Sequence, residues 1–175
     1  MTRERILPDE MELKMKGSSD SVRAMIHQAF KGVILGDGIG LWEGQAIDDY
    51  AGEDTEKAYR ERDEKKDWSA ISVDDLNRCN SSLSFFDAEG MRFHLPAYLI
   101  ATLNGTLWED PIFHLTHFDV ISESRYSLLS DAQRLAVRAF LLLLKDDDSS
   151  EFERPFIEMA LDEFWTDSQT RREEE

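Results

Sequence analysis

The side chains best equipped for chemistry crowd into residues 85–99, FFDAEGMRFHLPAYL. Asp87, Glu89, Arg92, His94 and Tyr98 bring carboxylates, a cation, an imidazole and a phenol into one short stretch, the groups from which acid–base sites are assembled. Their spacing limits what they can do together. Asp87 and His94 are seven residues apart, so a straight helix puts them on one face but two turns, roughly 10 Å, from each other. A direct Asp–His hydrogen bond then requires the backbone to bend. Pro96 supplies a reason to bend: it cannot donate to the carbonyl of Arg92, and it disfavours helical geometry at Leu95. The sequence therefore predicts either a kink or a helix that stops near His94 and restarts at Pro96. The freed carbonyls need partners, and a buried structural network is the preferred reading. The alternative is a ligand or catalytic pocket at that break, lined by Asp87, Glu89, Arg92, His94 and Tyr98.

Other candidates are weaker. His114-Leu115-Thr116-His117 is the only close histidine pair. On a helix both imidazoles would share a metal, with Asp119, Asp110 or Glu109 adding a carboxylate; on a strand they would face opposite ways. No His-Glu-x-x-His element accompanies them, and Phe113, Leu115 and Phe118 suggest packing. His114 and His117 are thus the only metal candidates, and no metal or cofactor is expected. Gly36-Asp37-Gly38-Ile39-Gly40 fails as a dinucleotide loop because position 41 is Leu41, and it lacks the Gly-Lys-Ser/Thr of a phosphate loop. It is expected to be a helix-breaking turn. No Gly-x-Ser-x-Gly elbow occurs. Cys79, the single cysteine, reads as a small buried thiol and excludes an intramolecular disulfide. The charged run EKAYRERDEKKD, residues 56–67, reads as a solvated helix face.

Helices must position these groups. Residues 1–19 lack a sustained period and are expected to form an arm. From Val22 a stripe of Val22, Met25, Ile26, Ala29, Phe30 and Val33 predicts a helix, capped by Ser19 or Ser21, with Arg23, His27 and Gln28 outward. Further helices are predicted over Leu41–Tyr50, Thr55–Lys66 and, entered through Ser72, Asp74–Cys79. Residues 87–103 are apolar nearly all round and should be buried. Residues 104–129 carry little signal beyond an Asn104-Gly105 turn and one short strand near 113–118. Ser130 and Gln133 have capping-box spacing and open a helix with an apolar arc of Leu135, Ala136, Ala139, Phe140, Leu142 and Leu143, expected to be the central core helix. Ser150 and Glu153 repeat that spacing ahead of a helix through Trp165, with Pro155 in its first turn. The expectation is an all-α single domain, residues 20–166, of about six or seven helices, with residues 167–175 as a charged tail.

Composition narrows the function classes. The 175 residues carry a net charge of −17, and the excess is uneven. Residues 1–32 hold six Lys/Arg against five Asp/Glu, whereas residues 146–175 hold three against twelve. Such a field repels phosphate backbones and anionic headgroups, so direct nucleic-acid and membrane binding are not expected. Met1–Lys16 has no apolar run resembling a signal peptide, and Ala139–Leu144 is far too short to span a bilayer. A cytoplasmic setting is expected, which the lone thiol suits.

The strings SLSFFDAEGMRFHLPAYLIATL, YSLLSDAQRLAVRAFL and EFERPFIEMALDEFW together resemble a family of small bacterial proteins classed as a domain of unknown function, over roughly residues 20–166. That resemblance implies no activity, ligand or catalytic residue. The residues themselves favour an acidic protein-binding module, in the manner of immunity or antitoxin proteins that mask a cationic surface, with a basic protein as partner. The rival is an enzyme or small-ligand domain, metal-assisted in one version, using the Pro96 break together with His114 or His117.

Overall fold

The computed structural model describes residues 8–166, with side chains from Ser18 onward. The first seven residues of the expected arm and the expected tail, 167–175, lie outside the described residues. Nine helices and no strand occur among the described residues. They are α1 (Pro8–Ala29), α2 (Leu41–Asp48), α3 (Glu53–Arg62), α4 (Val73–Arg78), α5 (Ala88–Leu103), α6 (Ile112–Thr116), α7 (Val120–Ser124), α8 (Asp131–Lys145) and α9 (Arg154–Glu163). Short 3₁₀ turns at Trp68–Ala70, Ser82–Ser84 and Asp148–Ser150 link some of them. Six of the nine helices have seven or more residues, and the all-α fold is as the patterning predicts.

Helix α5 occupies the centre. Met91, Phe93, Leu95, Ala97, Tyr98 and Leu99 are all buried, together with His94 and Pro96. It packs against α1 and the Trp68–Ala70 turn, while α8 lies between α1 and α9, and α2 pairs with α3. The expected central role of α8 passes to α5. Helix α8 buries one face, Ala136, Val137, Phe140 and Leu141, and leaves Leu142 exposed. Its predicted capping box is present: Ser130 Oγ accepts from the Gln133 amide at 3.3 Å, and Gln133 Oε1 accepts from the Ser130 amide at 3.0 Å.

Several local expectations need correction. Helix α1 runs straight through Gly17-Ser18-Ser19 and begins at Pro8, so neither Ser19 nor Ser21 caps it. Ser19 Oγ instead accepts from the Arg23 guanidinium at 2.8 Å. Val22, Ile26 and Phe30 bury as predicted, but Met25 remains exposed. The predicted strand near 113–118 is the short helix α6, held by the Asp110 carboxylate accepting from Ile112 N at 2.8 Å and by Thr116 Oγ–H donating to the Ile112 carbonyl at 2.8 Å. The Ser150–Glu153 box does not form. Asp147 caps a 3₁₀ turn there instead, accepting from Ser149 N and Oγ, and Ser150 is buried, the local competition expected of short polar side chains. Ser72 caps α4 as predicted.

Candidate functional site

No break opens at Pro96, because α5 continues unbroken from Ala88 to Leu103. Of the five residues singled out along it, Asp87, Glu89 and His94 are engaged with their own fold. Asp87 is the N-cap of α5: its Oδ1 accepts from Gly90 N at 2.8 Å and from Ile39 N at 3.0 Å, satisfying one exposed helix donor and one loop donor. Glu89 lies against Gly36 and Gly38. His94 is fully buried, stacked on Phe86 with ring centroids 4.4 Å apart. Its Nδ1 is 2.7 Å from the Gly90 carbonyl. A carbonyl only accepts, so Nδ1 carries the proton and Nε2 is a bare lone pair. Burial pushes the imidazole pKa down to about 4, against the opposing pull of the Gly90 carbonyl and the Asp87 charge. Burial likewise drives the Tyr98 phenol upward. His94 Nε2, Tyr98 Oη and Arg92 Nε are all buried without a hydrogen-bond partner. None of the five residues lines the three cavities described below.

The glycine loop explains much of this arrangement. A Cβ at Gly38 would meet Gly90 N at 2.5 Å and Glu89 Cβ at 2.6 Å, and one at Gly90 would collide with the Ile39 carbonyl. The loop therefore lies directly on the first turn of α5, and bare backbone is what permits the approach. Asp63 completes the joint from the other side. Buried beside Gly40, its two oxygens accept from Trp42 N at 2.7 Å and Glu43 N at 3.2 Å, so it caps α2 from 21 residues away. Burial raises its pKa to about 6, despite the two amides. Arg60 donates to the Gly38 carbonyl at 2.7 Å and to Glu43 Oε2 at 2.6 Å. Sequence reasoning missed Asp63 because it sits in a charged run that looks uniformly solvated. Cys79 is buried as expected, its thiol pushed up to about 12 by burial and then by Asp63, which leaves little thiolate for chemistry.

The second region is the one with the vaguest sequence signal. A cleft of about 420 Å³ opens between α6, α7 and the Ser84 turn, lined among others by Phe113, His114, His117, Phe118 and Ile121. Next to it, a groove of about 240 Å³ runs between α6 and α9, lined by Thr116, His117, Phe118, Phe156, Met159, Ala160 and Glu163. His117 and Phe118 belong to both. The cleft's polar groups are turned to internal bonds. Arg125 donates to the Ser84 carbonyl at 2.6 Å, Tyr126 Oη–H to the His114 carbonyl at 2.7 Å, and Asp119 accepts from Ser122 N at 2.7 Å. Burial and then the Arg125 charge lower the His114 pKa. His117 Nδ1 lies 3.0 Å from Thr116 Oγ. Among the described residues, no three His, Cys, Asp or Glu side chains gather as a metal site. The region presents several large apolar side chains outward: Phe113, Val120, Ile121, Phe156 and Met159 are all exposed. A third cavity, about 170 Å³ between α1, α4 and α5, is lined by His27, Trp68, Ile71, Leu76, Ala97 and Ile100 among others.

A family model spans both regions, matching residues 18–169. The chain belongs to DUF6714, a family of unknown function. No curated protein and no solved structure matches the chain. The DUF6714 match begins within α1 and extends past the end of α9, so the glycine-loop joint and the α6–α9 clefts both belong to the family domain.

Proposed function

We propose that the protein is an acidic protein-binding module whose partner presents a basic surface. One observation carries this reading: Arg138 and Arg154 turn their guanidinium groups to carbonyls at helix ends. Arg138 donates to the Leu161 and Trp165 carbonyls at 2.8 and 2.6 Å, Arg134 to the Phe164 carbonyl at 2.7 Å, and Arg154 to the Lys145 carbonyl at 3.0 Å. Cations suit the negative ends of helices. The three ion pairs between described residues, Arg23–Asp20, Arg60–Glu43 and Arg62–Asp75, all fall in the first 75 residues. Glu158, Asp162 and Glu163 on α9 are left exposed. Within a chain of net charge −17, such carboxylates attract a cationic protein surface and repel nucleic acid and anionic lipid. No described helix is long and apolar enough to cross a membrane, and the reading sets the protein in the cytoplasm, where a basic partner would be masked in the manner of an immunity or antitoxin protein.

Immobilised protein, exposed to lysate of its source cells at about 50 mM salt, should retain a basic partner in stoichiometric amount that elutes by about 500 mM salt, as screened charge attraction requires. Retention only of neutral or acidic proteins, indifferent to salt, would contradict the proposal.

A further inference from the structure

The exposed faces of α6, α7 and α9 form one surface, and its chemistry points to the kind of segment it receives. We infer that this surface docks a cationic amphipathic helix of the partner, large apolar side chains entering the two clefts and flanking Lys/Arg meeting the acidic rim. The inference rests on the basic-partner reading above and says where the partner binds.

Apart from Val120, the apolar part lines the two concavities, which share His117 and Phe118. Val120 is 86% exposed, Ile121 68% and Phe113 63%, and Phe156 and Met159 are each a little under half exposed. Phe113 stacks on His117 with ring centroids 4.4 Å apart, and His117 leans on Phe156 at 4.8 Å. This three-ring ridge separates the 420 Å³ cleft from the 240 Å³ groove. Isolated exposed apolar residues are ordinary, whereas a contiguous aromatic set beside concavities marks an interaction surface.

The surface stands on a rigid floor. Phe118, which lines both concavities, stacks on Phe164 at 4.0 Å, and Trp165 beneath is fully buried with its indole N–H donating to the Leu115 carbonyl at 2.8 Å. A pre-formed floor lowers the ordering cost of binding.

The rim decides the occupant. Asp119, the N-cap of α7, lines the cleft and Glu163 on α9 lines the groove, both exposed, and Glu123, Glu158 and Asp162 are exposed on the same two helices. Among the described residues lining the clefts, the one Lys or Arg is Arg125, which donates inward to the Ser84 carbonyl. On α9, Phe156, Met159 and Glu163 share a face at helical spacing, with Asp162 next to Met159 on its solvent side and Glu158 a further step round. An apolar stripe bordered by carboxylates complements a helix whose apolar stripe is bordered by Lys/Arg.

The test uses the full ¹⁵N-labelled chain and two probes at low salt, a leucine–lysine amphipathic helical peptide and an oligolysine of equal charge. The amphipathic peptide should shift amides of residues 112–123 and 154–164 and bind roughly tenfold more tightly than oligolysine, with a Phe156→Ser/Met159→Ser double variant losing roughly tenfold or more. Circular dichroism confirms that the variant is folded, and Tyr50→Ser, at a remote exposed ring, should bind as the parent does. If neither probe binds, the basic-partner reading falls and this inference with it. If the peptide binds but maps elsewhere, or ignores the double variant, the docking surface alone is overturned. Occupation of the same residues by a second copy, by phosphatidylcholine vesicles, or by the chain's own residues 167–175 in nuclear Overhauser contacts also overturns it.

Discussion

The joint around the glycine loop and the face made by α6, α7 and α9 are built from similar side chains to opposite ends. At the joint, carboxylates are drawn in: Asp63 is buried and Asp87 binds backbone amides on two elements. At the face, carboxylates stay in water and rings are turned out. A polar group with every partner inside the fold contributes stability and specificity of packing. An apolar group with no partner inside the fold adds little stability and remains available to another molecule.

Substitutions should separate the two regions by the size of their effect on folding. The largest loss is expected for Gly38→Ala, whose new methyl group meets the backbone of Gly90 at 2.5 Å. The urea midpoint should fall by the equivalent of about 3 kcal/mol or more, the range of severe overpacking. Gly52→Ala, with open space around it, should cost no more than about 1 kcal/mol, as an N-cap change. Equal losses at the two positions would show that the loop does not lie on α5.

Acid should act on the joint with a definite sign. His94 is neutral down to about pH 4 when folded but takes a proton near 6.5 when unfolded. Its contribution is intact above pH 6.5 and is lost as pH falls toward 4, about 3 kcal/mol in all. Asp63 opposes it, because the folded carboxyl keeps its proton up to about pH 6 whereas an ordinary aspartate releases it near 3.8. Its contribution is present below 3.8 and lost as pH rises through 6. Denaturant titrations across this range should show Asp63→Asn steepening the acid loss and His94→Phe, which retains a ring against Phe86, flattening it. A profile unchanged by either would remove these two groups as its source.

Arg138→Leu should cost about 2 kcal/mol by urea unfolding, since a charged donor to two helix-end carbonyls is lost. The smallest effect belongs to the exposed face. Phe156→Ser should change stability by about 0.5 kcal/mol or less, and a loss as large as that of Arg138→Leu would mean the ring is part of the core.

Legibility followed the range of the interactions. The Ser130–Gln133 box and the Ser72 cap involve residues three apart and were readable as strings. The spacing that kept Asp87 and His94 from pairing was readable too, and each has another partner. Helices α6 and α7 have five residues each, too short to establish a period, and the pattern at residues 113–118 alone suits a short strand as well. Pro96 suggested a break that burial of the whole surrounding helix overrode.

From its sequence alone the protein is an acidic all-α chain with a greasy central helix, a breaker loop at residues 36–40 and defined helix caps. These follow from composition, period and contacts a few residues long. Tertiary structure decided that Asp63 is buried while Glu158 is not, that the glycines seat a loop on α5, and that Phe113 and Phe156 face outward. Exposure and long-range capping depend on which distant segments arrive beside a residue, and a single position in the chain carries no record of that.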